Sequence, residues 1–335
     1  MRRWREAMAA ALYGPDGFYT RAGNRPAAHF RTSAQIGAGF AAALGRLLER
    51  VDAALGHPDP LDLVDVGAGG GELLDSLTGA VPPPLARRLR PVAVEVAPAP
   101  PDGPGTRQVT WRRSVPPGVT GLVLATEWLD NVPVDVAEVD PDGLVRYVLV
   151  DPATGREALG GEVTGDDAGW LARWWPLTVP GTRAEIGTSR DRAWAQVVGA
   201  VRRGAAVAVD YGHLAADRPP FGTLTGFRHG REVPPVPDGT RDLTAHVAMD
   251  AVAAAGGGGA VHLTQAEALR ALGVRGRRPP LALAHRDPAG YLRRLAAASL
   301  AAELTDPAGL GGHRWLIQPV ALPCPATRLV ARWRA

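Results

Sequence analysis

Lysine is absent from this chain: all 37 basic residues are arginine. Asparagine is nearly absent too, with Asn24 and Asn131 alone. Together with heavy alanine, glycine and proline use, this points to a GC-rich bacterial coding bias. The chain is basic in character through arginine, yet its net charge is only +3. Its arginines read as scattered among acids without a block of like charge, so no nucleic-acid surface is expected. A single cysteine, Cys324, excludes an internal disulfide and a cysteine-built zinc site, and fits a reducing compartment. No metal site is expected. Long apolar runs are missing as well. Arg2 and Arg3 lead into Glu6 rather than a sustained apolar segment, so neither a signal peptide nor a membrane span is read. A cytoplasmic protein with no membrane partner is the expectation. Its 335 residues suffice for one large domain with additions, or for two domains.

What is present is organised around one stretch. The apolar run Leu61-Asp62-Leu63-Val64-Asp65-Val66 ends in Gly67-Ala68-Gly69-Gly70-Gly71, and Leu73, Leu74 and Leu77 then recur at helical spacing. Strand, tight turn and helix form the opening unit of a doubly wound sheet. Such a turn sets backbone N–H groups and a positive helix end beside any ligand over the strand's carboxyl edge. Spacing sorts the ligands. The dinucleotide pattern G-x-G-x-x-G needs glycine at 72, where Glu72 stands. The D-x-G-x-G-x-G of Asp65, Gly67, Gly69 and Gly71 is similar instead to the nucleotide turn of methyltransferases that use S-adenosylmethionine.

Along the chain, Trp4, Met8, Ala11 and Leu12 share a helical face over 4–13, which Gly14-Pro15-Asp16-Gly17 ends. A second helix is expected after Thr32-Ser33, with Gln35 completing a capping box and Phe40, Leu44, Leu47 and Leu48 following at helical spacing. Further strands are read at Pro91–Val96, Gln108–Trp111, Gly121–Thr126 and Ala205–Asp210. Asp140-Pro141-Asp142-Gly143 marks a hairpin between Val134–Val139 and Leu144–Val150. Trp170–Trp175, 265–272 and 288–304 read as helices, the second capped by Thr264 and Glu267. Residues 214–240 read as Pro/Gly-rich chain too polar and broken for regular core structure. Ala254–Ala260 reads as a flexible turn or disorder, and Arg314–Val320 and Thr327–Trp333 as closing strands.

Several separated pieces then match one family. They are Ala11–Tyr19, Phe30–Ile36, the glycine turn, Glu127-Trp128-Leu129-Asp130-Asn131-Val132-Pro133, Val209-Asp210-Tyr211-Gly212, Gly222–Phe227, Asp242–Val247 and Thr264–Glu267. Their order and span resemble the MidA-like methyltransferases, relatives of the mitochondrial complex I assembly factor that methylates arginine. The chain departs from the family pattern at Ala34, Gln35, Asp65 and Thr126, where proline, glutamate, glutamate and asparagine are usual. Gln35 removes a carboxylate that would contact a cationic acceptor.

The resemblance implies a class I methyltransferase, a Rossmann-like α/β fold with S-adenosyl-L-methionine as cofactor. The expected division is an N-terminal helical cap over 1–58 and a cofactor-binding core over 59–213 with a hairpin excursion at about 134–150. An insertion and helical subdomain over 214–305 and closing strands over 306–335 complete it. Gly67, Ala68, Gly69 and Gly71 would let the backbone approach the cofactor, with Asp65 meeting its ammonium or fixing the turn. Glu95 would accept from the ribose hydroxyls, and Val96 would lie against adenine. Thr32 and Thr126 complete the expected cofactor set.

For chemistry, Glu127 and Asp130 are the expected acceptor-holding acids, since carboxylates can grip a guanidinium bidentately. The competing reading has Glu127 capping the next turn and Asp130 making an Asx turn. Tyr211 is a candidate pocket wall and His246 a candidate general base, against a packed tyrosine and a structural loop histidine. Tyr13, Phe18 and Tyr19 resemble the N-terminal aromatic lid of arginine methyltransferases; core anchoring is the alternative. Trp170, Trp174 and Trp175 are read as a partner surface or a packed helix. The implied acceptor is a protein arginine. A small-molecule acceptor, or an assembly factor that keeps the fold without catalysis, are the other readings. A homodimer is compatible with all of them.

Overall fold

The computed structural model describes residues 1–21, 38–97 and 109–331. Its centre is a seven-stranded sheet. In chain order the strands are β1 (Leu61–Val66), β2 (Leu89–Val94), β3 (Thr110–Arg112), β4 (Val119–Thr126), β5 (Val201–Asp210), β6 (Val261–Thr264) and β7 (Arg314–Val320). In space they run β6-β7-β5-β4-β1-β2-β3. The pairs from β5 to β3 are parallel, whereas β7 is antiparallel to both β5 and β6.

The strand sequences explain why this sheet sits in the middle. A parallel sheet is covered on both faces, so its strands carry apolar residues on both. Leu61 and Leu63, Leu122 and Leu124, and Ala205, Val207 and Val209 point into one core. The alternate residues Val64, Val66, Val123, Ala125, Ala206 and Ala208 point into the other. The first core is closed by helix α2 (Ala38–Leu55), through Phe40, Leu44, Leu47 and Leu48, and by α3 (Glu72–Ala80), through Leu73, Leu74 and Leu77. Trp194, Val197 and Val198 close the second, from a helix over Thr188–Gly199, together with Met249 and Val252 from Met249–Ala255. The fold is therefore mixed α/β around a mixed sheet.

A second sheet gathers Arg2–Arg3, Asp135–Val139, Val145–Val150, Glu157–Glu162 and Arg183–Ile186. The expected hairpin is its middle. Helix α1 (Trp4–Tyr13) lays Trp4, Met8 and Leu12 on Val136, Val148 and Val150.

Several expectations need correction. Residues 214–240 stay outside the core sheet, as expected, but add short peripheral strands: Thr225–Arg228 and Arg231–Val233 form a hairpin, and Thr225–Arg228 also pairs with Asp242–Thr244. Such short, polar strands carry too little apolar alternation to be read. The strand expected over Thr327–Trp333 is instead one turn of 3-10 helix at Ala326–Arg328; its last two residues fall outside the described chain. Pro323 and Pro325 lack ladder donors just where a strand would begin. The glycine run after Ala254 is a defined turn, because Gln318 Nε2 donates to the Gly257 and Gly258 carbonyls at 3.0 Å each. The helix over Thr188–Gly199 and the strand β6 were not expected. Among the described residues, no helix is long and apolar enough to cross a membrane.

Candidate active site

The glycine turn leaves β1 at the carboxyl edge of the sheet. Gly67, Gly69 and Gly71 all take positive φ, at 76°, 56° and 85°, a region costly for residues with a Cβ. The Gly67 and Ala68 N–H groups donate to the Val94 carbonyl at 2.9 and 3.2 Å, tying the turn to β2. Trp128 covers Gly67: a Cβ there would stand 2.9 Å from its Cδ1. A Cβ on Gly71 would meet the Trp111 ring at 3.3 Å, while one on Gly69 meets nothing within 4 Å among the described residues. Only the middle of the turn faces open space.

Glu95 follows β2 and closes on that turn. Its Oε2 accepts from the Gly69 N–H at 2.9 Å, and its Oε1 from the Val96 and Ala97 N–H groups at 2.7 and 3.1 Å. Val96 is exposed. Asp65 is buried on β1, and burial, then repulsion from Glu95 and Glu72, raises its carboxyl to about 8. Thr32 lies outside the described residues. Thr126 ends β4 with its Oγ1 buried and without a hydrogen-bond partner.

At the next residue the chain strains. Glu127 adopts φ 51° while donating its N–H to the Val209 carbonyl at 2.7 Å. A left-handed non-glycine residue at a strand end is a feature that the surroundings must hold in place. Asp210, at the end of β5, does the holding. Its Oδ2 accepts from the N–H groups of Trp128, Leu129 and Asp130 at 3.1, 2.8 and 3.3 Å, and its Oδ1 from that of Tyr211 at 2.9 Å. Asp210 therefore caps the short 3-10 helix Leu129–Asn131, the task considered above for Glu127. Nor does Asp130 make an Asx turn. Its Oδ2 accepts from the Thr244 hydroxyl at 2.6 Å, and its Oδ1 is buried with no partner.

Around Asp130 the separated motifs converge. Asn131 Nδ2 donates to Asp242 Oδ1 at 3.0 Å and to the Leu243 carbonyl at 3.1 Å. The Tyr13 hydroxyl donates to the Asn131 carbonyl at 3.2 Å. The Tyr19 hydroxyl lies 3.0 Å from Asn131 Oδ1 and 2.8 Å from Asp242 Oδ1. Phe18 is fully buried and packs edge-on against Tyr19. These three rings anchor the N-terminal segment to the network. Burial, then the charge of Asp130, raises Asp242 to about 8. The neighbouring cation is Arg190, itself 1% exposed, whose donors go to the carbonyls of Asp130, Val132 and His246.

Tyr211 stands between two imidazoles, stacked on His246 at 5.9 Å and tilted against His313 at 4.1 Å between ring centroids. His246 is exposed, and its backbone N–H donates to Thr223 Oγ1 at 2.8 Å. Desolvation on its packed side lowers its pKa. His313 is 3% exposed with both ring nitrogens unpartnered, and burial lowers it to about 4. Trp170 and Trp175 are buried, Trp170 bound to Asp191 and Trp175 packed on His213. The tryptophan helix is packed rather than presented.

Glu127, Asp130, Tyr211 and His246 thus share the edge that also carries the glycine turn. Reading the sequence missed Arg190, Thr244 and His313 as neighbours. Asp210, Asp242 and Thr244 itself lie inside the motifs already singled out, so their position was available. Nothing in the sequence marks His313.

A glycine turn after the first strand of a largely parallel sheet, clamped by an acid from the second, defines an α/β enzyme of the nucleotide-cofactor type. Residues 43–265 match the family described as "Putative S-adenosyl-L-methionine-dependent methyltransferase", and the chain belongs to that family. Among solved structures it is similar to a COG1565 superfamily member from Burkholderia thailandensis bound to S-adenosyl-homocysteine. The TM-score is 0.77 at 24% identity, over 96% of this chain and 89% of that one. A native structure of a COG1565 superfamily protein from the same organism gives 0.75 at 24% identity, over 99% and 90%. No curated protein matches the chain. The MidA-like resemblance holds, and the cofactor is S-adenosyl-L-methionine.

Proposed function

We propose that this methyltransferase acts on a nitrogen of a protein arginine, on a class I, Rossmann-like sheet. The order β3-β2-β1-β4-β5-β7-β6, with β7 alone reversed, supports that layout. The observation that carries the acceptor is Asp130. One of its carboxylate oxygens is buried without a donor, in a network where Asp210 and Asp242 are buried as well. A buried acceptor left unpaired costs about 1–3 kcal/mol, and more for a charged group. A guanidinium brings planar donors that answer it.

The residues present suit the cofactor. Open space lies where a side chain on Gly69 would stand, and the Glu95 carboxylate borders it. When bound, S-adenosylmethionine supplies a methyl carbon activated by positive sulfur. The chain does the rest. Gly67, Ala68, Gly69 and Gly71 would admit the ligand to backbone contact, Asp65 would meet its ammonium or fix the turn, Glu95 would take its ribose hydroxyls, Val96 would lie against its base, and Thr126 would complete the set. Glu127 and Asp130 orient the guanidinium, Tyr211 walls the pocket, and His246 takes the proton that leaves nitrogen.

Labelled methyl transfer into a bacterial lysate, split into protein and small-molecule fractions, tests the acceptor. Label on protein arginine is expected. Label confined to small molecules would overturn the arginine reading while leaving the methyltransferase intact.

A further inference from the structure

Many arginines of this fold are neutralised at short range. Arg88, Arg90, Arg146, Arg183, Arg218 and Arg314 each pair with a carboxylate at 2.5–2.9 Å. Residues 275–294 differ. They hold six arginines, at 275, 277, 278, 286, 293 and 294, against one acid, Asp287, in a chain where 37 basic residues face 34 acidic ones. All six are exposed, and none forms an ion pair with any described residue. The expectation of no block of like charge fails here.

The same stretch exposes apolar surface. Leu281 is 73% and Leu292 63% exposed, among the most exposed large apolar side chains described. The stretch is built as structure. Pro279 and Pro280 lead into a short helix, Leu281–Arg286, and Asp287 Oδ1 accepts from Gly290 N–H at 2.8 Å to cap the helix Pro288–Thr305. The two helices pack on one another. The one acid is thus engaged in capping, and the arginines and leucines are held on a preformed helix pair.

We propose that this helix pair is a docking surface for an acidic, leucine-bearing segment of a partner protein. Guanidinium groups take carboxylates bidentately, and arginine with buried apolar anchors is the composition of protein interfaces. A nucleic acid would answer the arginines, and His285 is an exposed ring, but it would leave both leucines in water. A lipid surface calls for one continuous apolar face. Here Leu292 points outward while Leu304 is buried, and Leu281–Arg286 is under two turns long. The inference stands on this surface alone and does not depend on the identity of the methyl acceptor.

The test uses the full chain and a fluorescent synthetic helical peptide with leucine on one face and glutamate elsewhere. Saturable binding that weakens with added salt is expected. The double variant Arg277→Glu/Arg293→Glu should weaken it about tenfold or more, as should Leu281→Ser/Leu292→Ser. These positions are exposed, so unchanged S-adenosylmethionine binding serves as the folding control. Undetectable peptide binding, or charge reversal without effect, overturns the proposal. So does tighter binding to phosphatidylserine vesicles or to single-stranded DNA than to the peptide.

Discussion

Arg190 donates to the Asp130 carbonyl oxygen at 2.6 Å from a side chain that is 1% exposed. The same guanidinium reaches the His246 carbonyl at 2.8 Å and that of Val132 at 3.3 Å. One buried cation therefore ties the loop after β4 to the segment 242–247, while its charge faces Asp130 and Asp210. Arg190→Met removes the ties and leaves those acids without their counter-charge. It is expected to lose about 3–5 kcal/mol in denaturant unfolding at neutral pH. Arg190→Lys should recover only part, because an ammonium cannot span three carbonyls as the planar fork does. A methionine variant within about 1 kcal/mol of wild type would remove Arg190 from this role.

The glycine turn separates strain from ligand space. A methyl on Gly67 would press on Trp128 at 2.9 Å as well as on its own positive φ. Gly67→Ala is expected to cost about 2–3 kcal/mol of stability. Gly69→Ala meets no atom of the described residues within 4 Å, so its cost is the backbone term, about 1–2 kcal/mol. Its methyl enters the proposed cofactor space, however. Calorimetry should show S-adenosylmethionine affinity falling about tenfold in Gly69→Ala, roughly 1.4 kcal/mol. Wild-type affinity in that variant would place the cofactor away from Gly69.

The contrast between these residues and Arg190 shows what the sequence made legible. The central strands were readable because burial on both faces demands long apolar runs, as in Leu61–Val66 and Ala205–Asp210. Gly67, Gly69 and Gly71 were readable because their spacing is tied to backbone geometry. Arg183–Ile186 and Glu157–Glu162 were not, being short and polar, with pairing set by distant neighbours. The Thr188–Gly199 helix hid for a similar reason: it buries Trp194, Val197 and Val198 but also Arg190, and a buried arginine breaks the apolar stripe. His313 became visible only when β7 inserted beside β5 and brought it against Tyr211. Long-range placement of a single polar side chain leaves no local trace.

His313 should register in acid. Burial depresses it to about 4, against about 6.5 in an unfolded chain. A base with a lowered folded pKa stabilises fully above the unfolded value and loses that contribution as pH falls towards the folded one. Wild-type stability should therefore drop between about pH 6.5 and pH 4, by as much as about 3 kcal/mol from this group. His313→Phe keeps a ring against Tyr211 and removes the proton site. Its unfolding free energy should fall less steeply across that window, and parallel curves for the two proteins would assign the acid sensitivity elsewhere.

Asp65 carries the opposite sign. Its carboxyl, raised to about 8 by burial and by the nearby Glu95 and Glu72, holds a proton at neutral pH that the unfolded chain has lost. That contribution is complete below the unfolded value of about 3.9 and disappears as pH rises through about 8. Asp65→Asn should then be more stable than wild type above about pH 8, by on the order of 2 kcal/mol. Cofactor binding reads the same proton. If Asp65 meets the ammonium of S-adenosylmethionine, the incoming cation lowers its pKa, and binding near pH 7 expels close to one proton. Titrations in two buffers of different ionisation enthalpy should give heats that differ by that proton. The difference should vanish in Asp65→Asn and shrink in wild type above about pH 9. Buffer-independent heat in the wild type at neutral pH would mean that Asp65 stays protonated beneath the turn and serves only to shape it.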